Sequence, residues 1–189
     1  MQNRLPQMNS LQGHLLIASP HMDDPRFART VILVLRHDQD GALGIVLNRP
    51  MQSADEDNRS SLIDLLSSDD GRIQAGGPVD GPLIVLHAEQ QTSSGTKGGV
   101  FVIEKAEQLK HLIEEAEAPL QFYVGHAGWS PGQLERELSD GVWLSTPAVP
   151  DFVFAQHADM WVDAMRESGR NFYRDVLGIS GFPDDPELN

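Results

Sequence analysis

GHLLIASPHMDDPRFARTVILVLRHDQDGALGIVLNRP, running from Gly13 to Pro50, decides the architecture. Within it HLLIAS, RTVILVLRH and GALGIVLNR are short aliphatic and β-branched runs bounded by Gly, Pro, Asn or Asp, which is how strands are punctuated. The turn HDQDG between the second and third runs is short enough for an antiparallel hairpin, with Gly41 free to take positive φ. Further along, PLIVLHA, GVFVIE, PLQFYVGHA and VWLST repeat the pattern, so seven strands are predicted. Helices are predicted around Ser61–Ser67, Lys105–Glu117 and Pro131–Asp140, and in two segments between Asp151 and Leu177. The strands come in neighbouring groups instead of alternating strictly with helices, which points to an α+β fold on a mixed sheet.

The chain has 189 residues, and its 14 Lys and Arg against 28 Asp and Glu leave a formal charge of −14. No internal repeat or long linker divides it, so one domain over residues 1–189 is expected, with polar tails at 1–10 and 182–189. MQSADEDNRS (Met51–Ser60) and QTSSGTKGG (Gln91–Gly99) read as a solvated loop and a flexible connection. The acidic balance disfavours direct binding to nucleic acid or anionic lipid, whose affinity comes from Lys and Arg displacing counterions. The longest strongly apolar run, Val31–Leu35, is far short of the ~20 residues that cross a bilayer, so no membrane association and a cytoplasmic location are expected. With no cysteine, disulfides, thiolate zinc sites and cysteine nucleophiles are excluded.

GWSPG, Gly128–Gly132, has the form of the G-x-S-x-G nucleophile elbow between a predicted strand and a predicted helix. The oxyanion hole of such elbows uses the N–H of the residue after the nucleophile, and Pro131 has none. His157 follows Asp140 and Asp151 in triad order, but seven histidines and 28 acids make that order easy to find. Helix entry explains Ser130 more simply. Its hydroxyl is expected to accept from the N–H of Gln133, Pro131 to open the helix, and the Gln133 side chain to reach back, a capping box of the form S-x-x-Q. Leu134 and Leu138 then face the core and Gly141 ends the helix.

HMDD (His21–Asp24) and HDQD (His37–Asp40) place imidazole and carboxylate together, but without a known ligand spacing, so they are read as turn and capping residues and no metal is expected. His14, His87 and His126 fall in or beside strands, and His111 on a solvated helix face. AGGPVDG, Ala75–Gly81, lacks the Lys and Ser or Thr of a phosphate loop and the G-x-G-x-x-G fingerprint, so no nucleotide cofactor is implied. Its paired glycines nonetheless let backbone N–H groups approach a ligand or a neighbouring loop, and such nests attract anions. Arg29 and Arg49 could bring charge to the same region, or pair with the surplus acids. Trp143 and Trp161 read as core, whereas Trp129 lies in a glycine-flanked turn before a helix, where an indole can wall a pocket.

Taken together, Gly13–Pro50, GGPV (Gly76–Val79), LIVLH (Leu83–His87), GHAGWSPGQLEREL (Gly125–Leu138) and VWL (Val142–Leu144) resemble the AlgH/YqgE family of bacterial proteins over about Leu11–Gly178. The resemblance implies a mixed, bifurcated sheet, part of it closing into a small barrel, surrounded by helices. It implies no established enzymatic activity; the family name reflects a proposed role in regulating alginate production, sometimes expressed as transcriptional regulation. Carried onto this chain, the family signature falls on Arg29, Thr30, Asn48, Arg49, Pro50, Gly76, Gly77, Pro78, Gly128, Trp129, Pro131, Gln133 and Leu134. Members often carry glycine in place of Ser130 and tyrosine in place of His126, which counts further against a catalytic Ser130.

Three readings follow from these residues. The leading one is a non-enzymatic binding or regulatory protein that meets a protein partner or a small anionic ligand at a pocket built from the NRP, GGP and AGW loops, and acts on transcription indirectly. An alternative is a hydrolase or transferase for a small anionic substrate, with Arg29 or Arg49 holding the anion and His87 or His126 as acid or base. The third is that GGP and AGW only pack loops together.

Overall fold

A computed structural model describes residues 10–51, 73–87, 101–103, 120–155, 157 and 159–177. In chain order these form β1 (His14–Ala18), β2 (Val31–Asp38), β3 (Gly41–Val46), β4 (Ile73–Ala75), β5 (Val79–His87), β6 (Phe101–Ile103) and β7 (Leu120–Trp129). Helix α1 (Gln133–Ser139), β8 (Trp143–Pro147), α2 (Pro150–Phe154) and α3 (Met160–Leu177) follow. The predicted helices at 61–67 and 105–117, the loops 52–60 and 91–99, and the tails 1–9 and 182–189 lie outside the described residues.

Each of the seven predicted runs contains a strand. An eighth, β4, has three residues, too few to show a two-residue period, and β5 begins at Val79, earlier than predicted, through an irregularity between Val79 and Leu83. The β2–β3 hairpin turns at Gln39–Asp40, with Asp38 opposite Gly41, and Gly41 takes φ 123°. The sheet runs β6-β5-β7-β3-β2-β1-β8, with β4 parallel to β7 and the other pairs antiparallel. The expected mixed α+β architecture is therefore present. Its expected partial barrel is not closed by hydrogen bonds, because β6 and β8 stand at opposite ends of the strand order and do not pair.

Val31–Leu35 is buried on both faces, which is why it reads as an unbroken apolar run instead of an alternation. Leu15, Ile17, Val31, Leu33 and Ile45 enter one core with Val153 of α2 and Ala164 of α3, while Leu16, Ile32, Val34 and Val46 enter the other with Leu134 of α1. Each such aliphatic side chain contributes roughly 1.5–3 kcal/mol on burial. On α3, Met160, Trp161, Ala164 and Met165 recur at helical spacing on the packed face. Among the described residues no helix is long and apolar enough to cross a membrane.

The bifurcation lies in β7. This strand pairs with β5 over Leu120–Val124 and at His126, with β4 over Phe122–Val124 and with β3 over Ala127–Trp129. Gly76 enters the gap between these branches, donating its N–H to the Val124 carbonyl (2.6 Å) while its carbonyl accepts from Val46 N–H (2.7 Å). A Cβ on Gly76 would collide with the Gly125 carbonyl oxygen, and one on Gly77 with the His126 carbonyl, whereas one on Gly128 would meet nothing within 4 Å. Gly76→Ala and Gly77→Ala are thus each expected to destabilise the chain by about 1–3 kcal/mol or more, and Gly128→Ala by under ~1 kcal/mol. Chemical denaturation of the three variants checks this ordering.

Candidate functional site

Between β1 and β2 the chain runs out through SPHMDDPRFART, a loop too rich in Pro and Asp for a strand. Local bonds and a latch from the end of β3 shape it. Thr30, fully buried, donates its hydroxyl to the Phe27 carbonyl (2.7 Å). Asn48 accepts from Val31 N–H (3.0 Å) and donates to the Arg29 carbonyl (2.9 Å), and Arg49 donates to the Ala28 carbonyl (2.7 Å). Arg29, at φ 56°, pairs with Asp159 and lies over the Trp161 ring at 4.5 Å, so the loop is also tied to α3. The Val162 backbone N–H, with a smaller contribution from Arg29, holds the Asp159 carboxyl below the usual carboxylate range.

Beneath this loop lies a cavity of about 600 Å³, bounded by residues 19–27, by Pro78 and Val79, by Gly128 and Trp129 at the end of β7, and by α1 and the turn after it. Glu137 ties its walls together. Its Oε2 accepts from the Trp129 indole N–H (2.8 Å) and the Trp143 indole N–H (2.7 Å), and its Oε1 from the Gln133 amide (2.8 Å). The two indoles meet edge to face at 6.1 Å, and Phe27 packs edge-on against Trp143 at 5.8 Å. Asp23, Asp24 and Asp140 complete the carboxylates of the lining, against two basic side chains, Arg26 and His21. Arg26 is already bound through two guanidinium nitrogens to Asp24, which holds the Asp24 carboxyl below its ordinary value.

The helix entry differs from the predicted capping box. Gln133 does reach back, its Oε1 accepting from Ser130 N–H (3.0 Å), but the Ser130 hydroxyl donates to that same Oε1 and caps no backbone group. Pro131 lies in the preceding turn, because Gly132 in the left-handed conformation delays helix onset to Gln133. The amide of Gln133 is thereby oriented toward Glu137.

Pro78, Gly128, Trp129 and Gln133 line the cavity; Arg29, Thr30, Asn48, Arg49, Pro50, Gly76 and Gly77 do not. The NRP, GGP and AGW segments do adjoin through the backbone, as Arg49 accepts from Ala75 N–H and Gly77 lies against His126 and Ala127. Most of their side chains hold the walls from behind. Pro50 bridges to Gln74, and His87 is at the far end of β5 from Val79, opposite Leu120 and Phe101. Glu137 and Phe27 escaped the sequence reading, while Asp23 and Asp140 entered it only as a turn residue of HMDD and as an acid in triad order, not as residues of this pocket. The four-residue step from Gln133 to Glu137 on one helix face was the available signal for Glu137. A second cavity, of about 560 Å³ beside Asp163 and Val149, is lined by His157 and Asp151, weighed from the sequence only for their triad order, and by none of the residues of the expected binding site.

These features define an α+β protein with a bifurcated mixed sheet and an acidic, indole-walled cavity over one of its faces. The AlgH-like family model matches residues 15–173, and the chain belongs to that family. It is 37% identical over 181 residues to a UPF0301 protein of Shewanella denitrificans, covering 88% of this chain and 96% of that one. A UPF0301 protein of Streptomyces avermitilis is 34% identical over 195 residues, covering 98% of each. The solution structure of the AlgH protein from Pseudomonas aeruginosa matches with a TM-score of 0.66 at 31% identity, covering 97% of this chain and 100% of that one. A crystal structure from Corynebacterium diphtheriae shares the fold with a TM-score of 0.68 at 22% identity, over 87% and 91% of the two chains.

Removing the Glu137 carboxylate strands two indole N–H groups whose residues are 7% and 3% exposed. Glu137→Ala is expected to lower stability by about 2–4 kcal/mol, since each buried unsatisfied donor costs roughly 1–3 kcal/mol. Glu137→Gln, which keeps an acceptor oxygen, is expected to lose less than half of that. Urea denaturation followed by tryptophan fluorescence compares the two.

Proposed function

We propose that this chain is a non-enzymatic binding protein that influences transcription through a protein partner, with the cavity beneath the β1–β2 loop as its recognition surface. The observation that carries this reading is the Glu137 carboxylate, fixed by two indole N–H groups and an amide in the wall of that cavity. A carboxylate with three donors already in place is held in one orientation, which suits it to present a charge to a partner. The Ser130 hydroxyl is engaged with Gln133, and the following residue offers no N–H for an oxyanion.

The alternative of a hydrolase or transferase for a small anionic substrate draws less support. Arg29 is committed to Asp159 and Trp161, and Arg49 to the Ala28 carbonyl. The cavity itself is lined by four carboxylates against one arginine and one histidine, an unfavourable field for an anion. The same field, together with the overall charge of −14, speaks against direct contact with DNA.

A photo-crosslinking residue placed at Val79, an exposed position on the cavity lip, tests the reading. In native lysate it is expected to capture a discrete protein, and Asp140→Arg in the same chain is expected to reduce that capture by about tenfold. Labelling of Ser130 by a fluorophosphonate, or tight, salt-sensitive binding of the purified protein to duplex DNA, would overturn it.

A further inference from the structure

We infer that the cavity beneath the β1–β2 loop takes a cationic nitrogen, a guanidinium or an alkylammonium, with Glu137 as its anchor. The inference rests on reading this cavity as the recognition site and adds the chemistry of what it recognises.

The first ground is an uncompensated charge. Glu137 is half-buried, and among the described residues no Lys, Arg or His pairs with it. Its three donors are neutral N–H groups that stabilise the carboxylate without cancelling its charge. Taking a carboxylate out of water without a counter-ion is costly, and the cost falls when a cation arrives. The second ground is stereochemical. A carboxylate has about four lone-pair sites; two on Oε2 receive the indoles and one on Oε1 receives the Gln133 amide. The remaining acceptor site is on Oε1 of a residue that lines the cavity.

The rest of the lining fits the same ligand. Asp23 and Asp140 add negative charge, while Arg26 and Asp24 neutralise each other. Phe27, Trp129 and Trp143 provide apolar wall against which the methylene stem of a basic group can lie. Aromatic rings beside carboxylates form a favourable environment for guanidinium and ammonium groups.

The test uses the full-length chain and two near-isosteric probes, n-butylguanidinium and the neutral n-butylurea, titrated by calorimetry with tryptophan fluorescence in parallel. Saturable 1:1 binding of the cation is expected, with the urea weaker by at least about tenfold and inorganic phosphate silent. Glu137→Gln should weaken the cation by about tenfold or more and the urea, which loses only a neutral hydrogen bond, by much less. Should that variant not fold, Asp140→Asn, away from the indole bonds, is expected to weaken the cation by roughly two- to fivefold with an unchanged melting temperature. Comparison of an acetylated, amidated Gly-Arg-Gly peptide with free agmatine assigns the source: tighter peptide binding marks a protein side chain, tighter agmatine binding a free amine. Equal affinity for n-butylguanidinium and n-butylurea, no cation binding up to about 10 mM, or preferential binding of phosphate overturns the inference. If the cation fails while the Val79 crosslink still captures a protein, the recognition reading survives and the ligand chemistry falls; if both fail, both fall.

Discussion

The structure depends on one close backbone approach, that of Gly76 and Gly77 to the middle of β7. There β7 exchanges one neighbour for another: β4 beside Phe122–Val124, then β3 beside Ala127–Trp129. At such a change of partner, backbone groups lose their ladder and must be satisfied otherwise. Gly76 does this by bonding to Val124 on one branch and to Val46 on the other, at a separation that leaves no room for a side chain. Beyond this point β7 continues to Gly128 and Trp129 while the crossing segment continues to Pro78 and Val79. Both ends arrive in the cavity wall because both leave the same junction.

From the opposite side the cavity is bounded by the β1–β2 loop, and the loop is held by the residues that follow β3. Asn48 and Arg49 occupy backbone carbonyls at Arg29 and Ala28, and Asn48 also receives the first N–H of β2. Arginine and asparagine suit this work, since each supplies several donors from one side chain to carbonyls that no strand partner can reach. The same donor richness makes arginine a natural choice for an anion site, so residue type alone does not separate a latch from a binding group. Coordinates do, through the identity of the acceptor. Trp161 adds a third tie, donating its indole N–H to the Ala18 carbonyl (2.7 Å) where β1 ends and the loop begins.

The hairpin, the run Val31–Leu35 and the α+β class were legible in the sequence because they rest on local signals: turn residues, β-branching and burial on both faces. β4 was not, since a three-residue parallel strand owes its existence to the gap it enters. The site was half legible. Trp129 stood out by its glycine flanks and Gln133 by its spacing from Ser130, and both reach the cavity. Glu137 did not stand out among the acids of the chain because two of its partners approach from outside its helix, Trp129 from eight residues before it and Trp143 from six residues after. Which indole reaches which carboxylate is fixed by the packing of α1 on β3 and β8, and no local periodicity encodes it. The delayed start of α1 has the same origin, as Gly132 in a left-handed conformation orients Gln133 for Glu137 at the expense of a side-chain cap.

The Glu137 cluster satisfies hydrogen-bonding needs with more charge than those needs require. Two indole N–H groups could be satisfied by a neutral amide oxygen or by backbone carbonyls, as Trp161 is. A carboxylate makes each bond stronger, roughly twofold over a neutral acceptor, but brings an ionic desolvation cost that neutral donors offset only in part. The charge therefore contributes little to packing that a neutral acceptor would not. Its position in the wall of an open cavity, beside further carboxylates and on a chain of net charge −14, gives it another physical consequence. The local and long-range fields have the same sign, so a surface that the fold braces from behind is also one whose field opposes anions and favours cations.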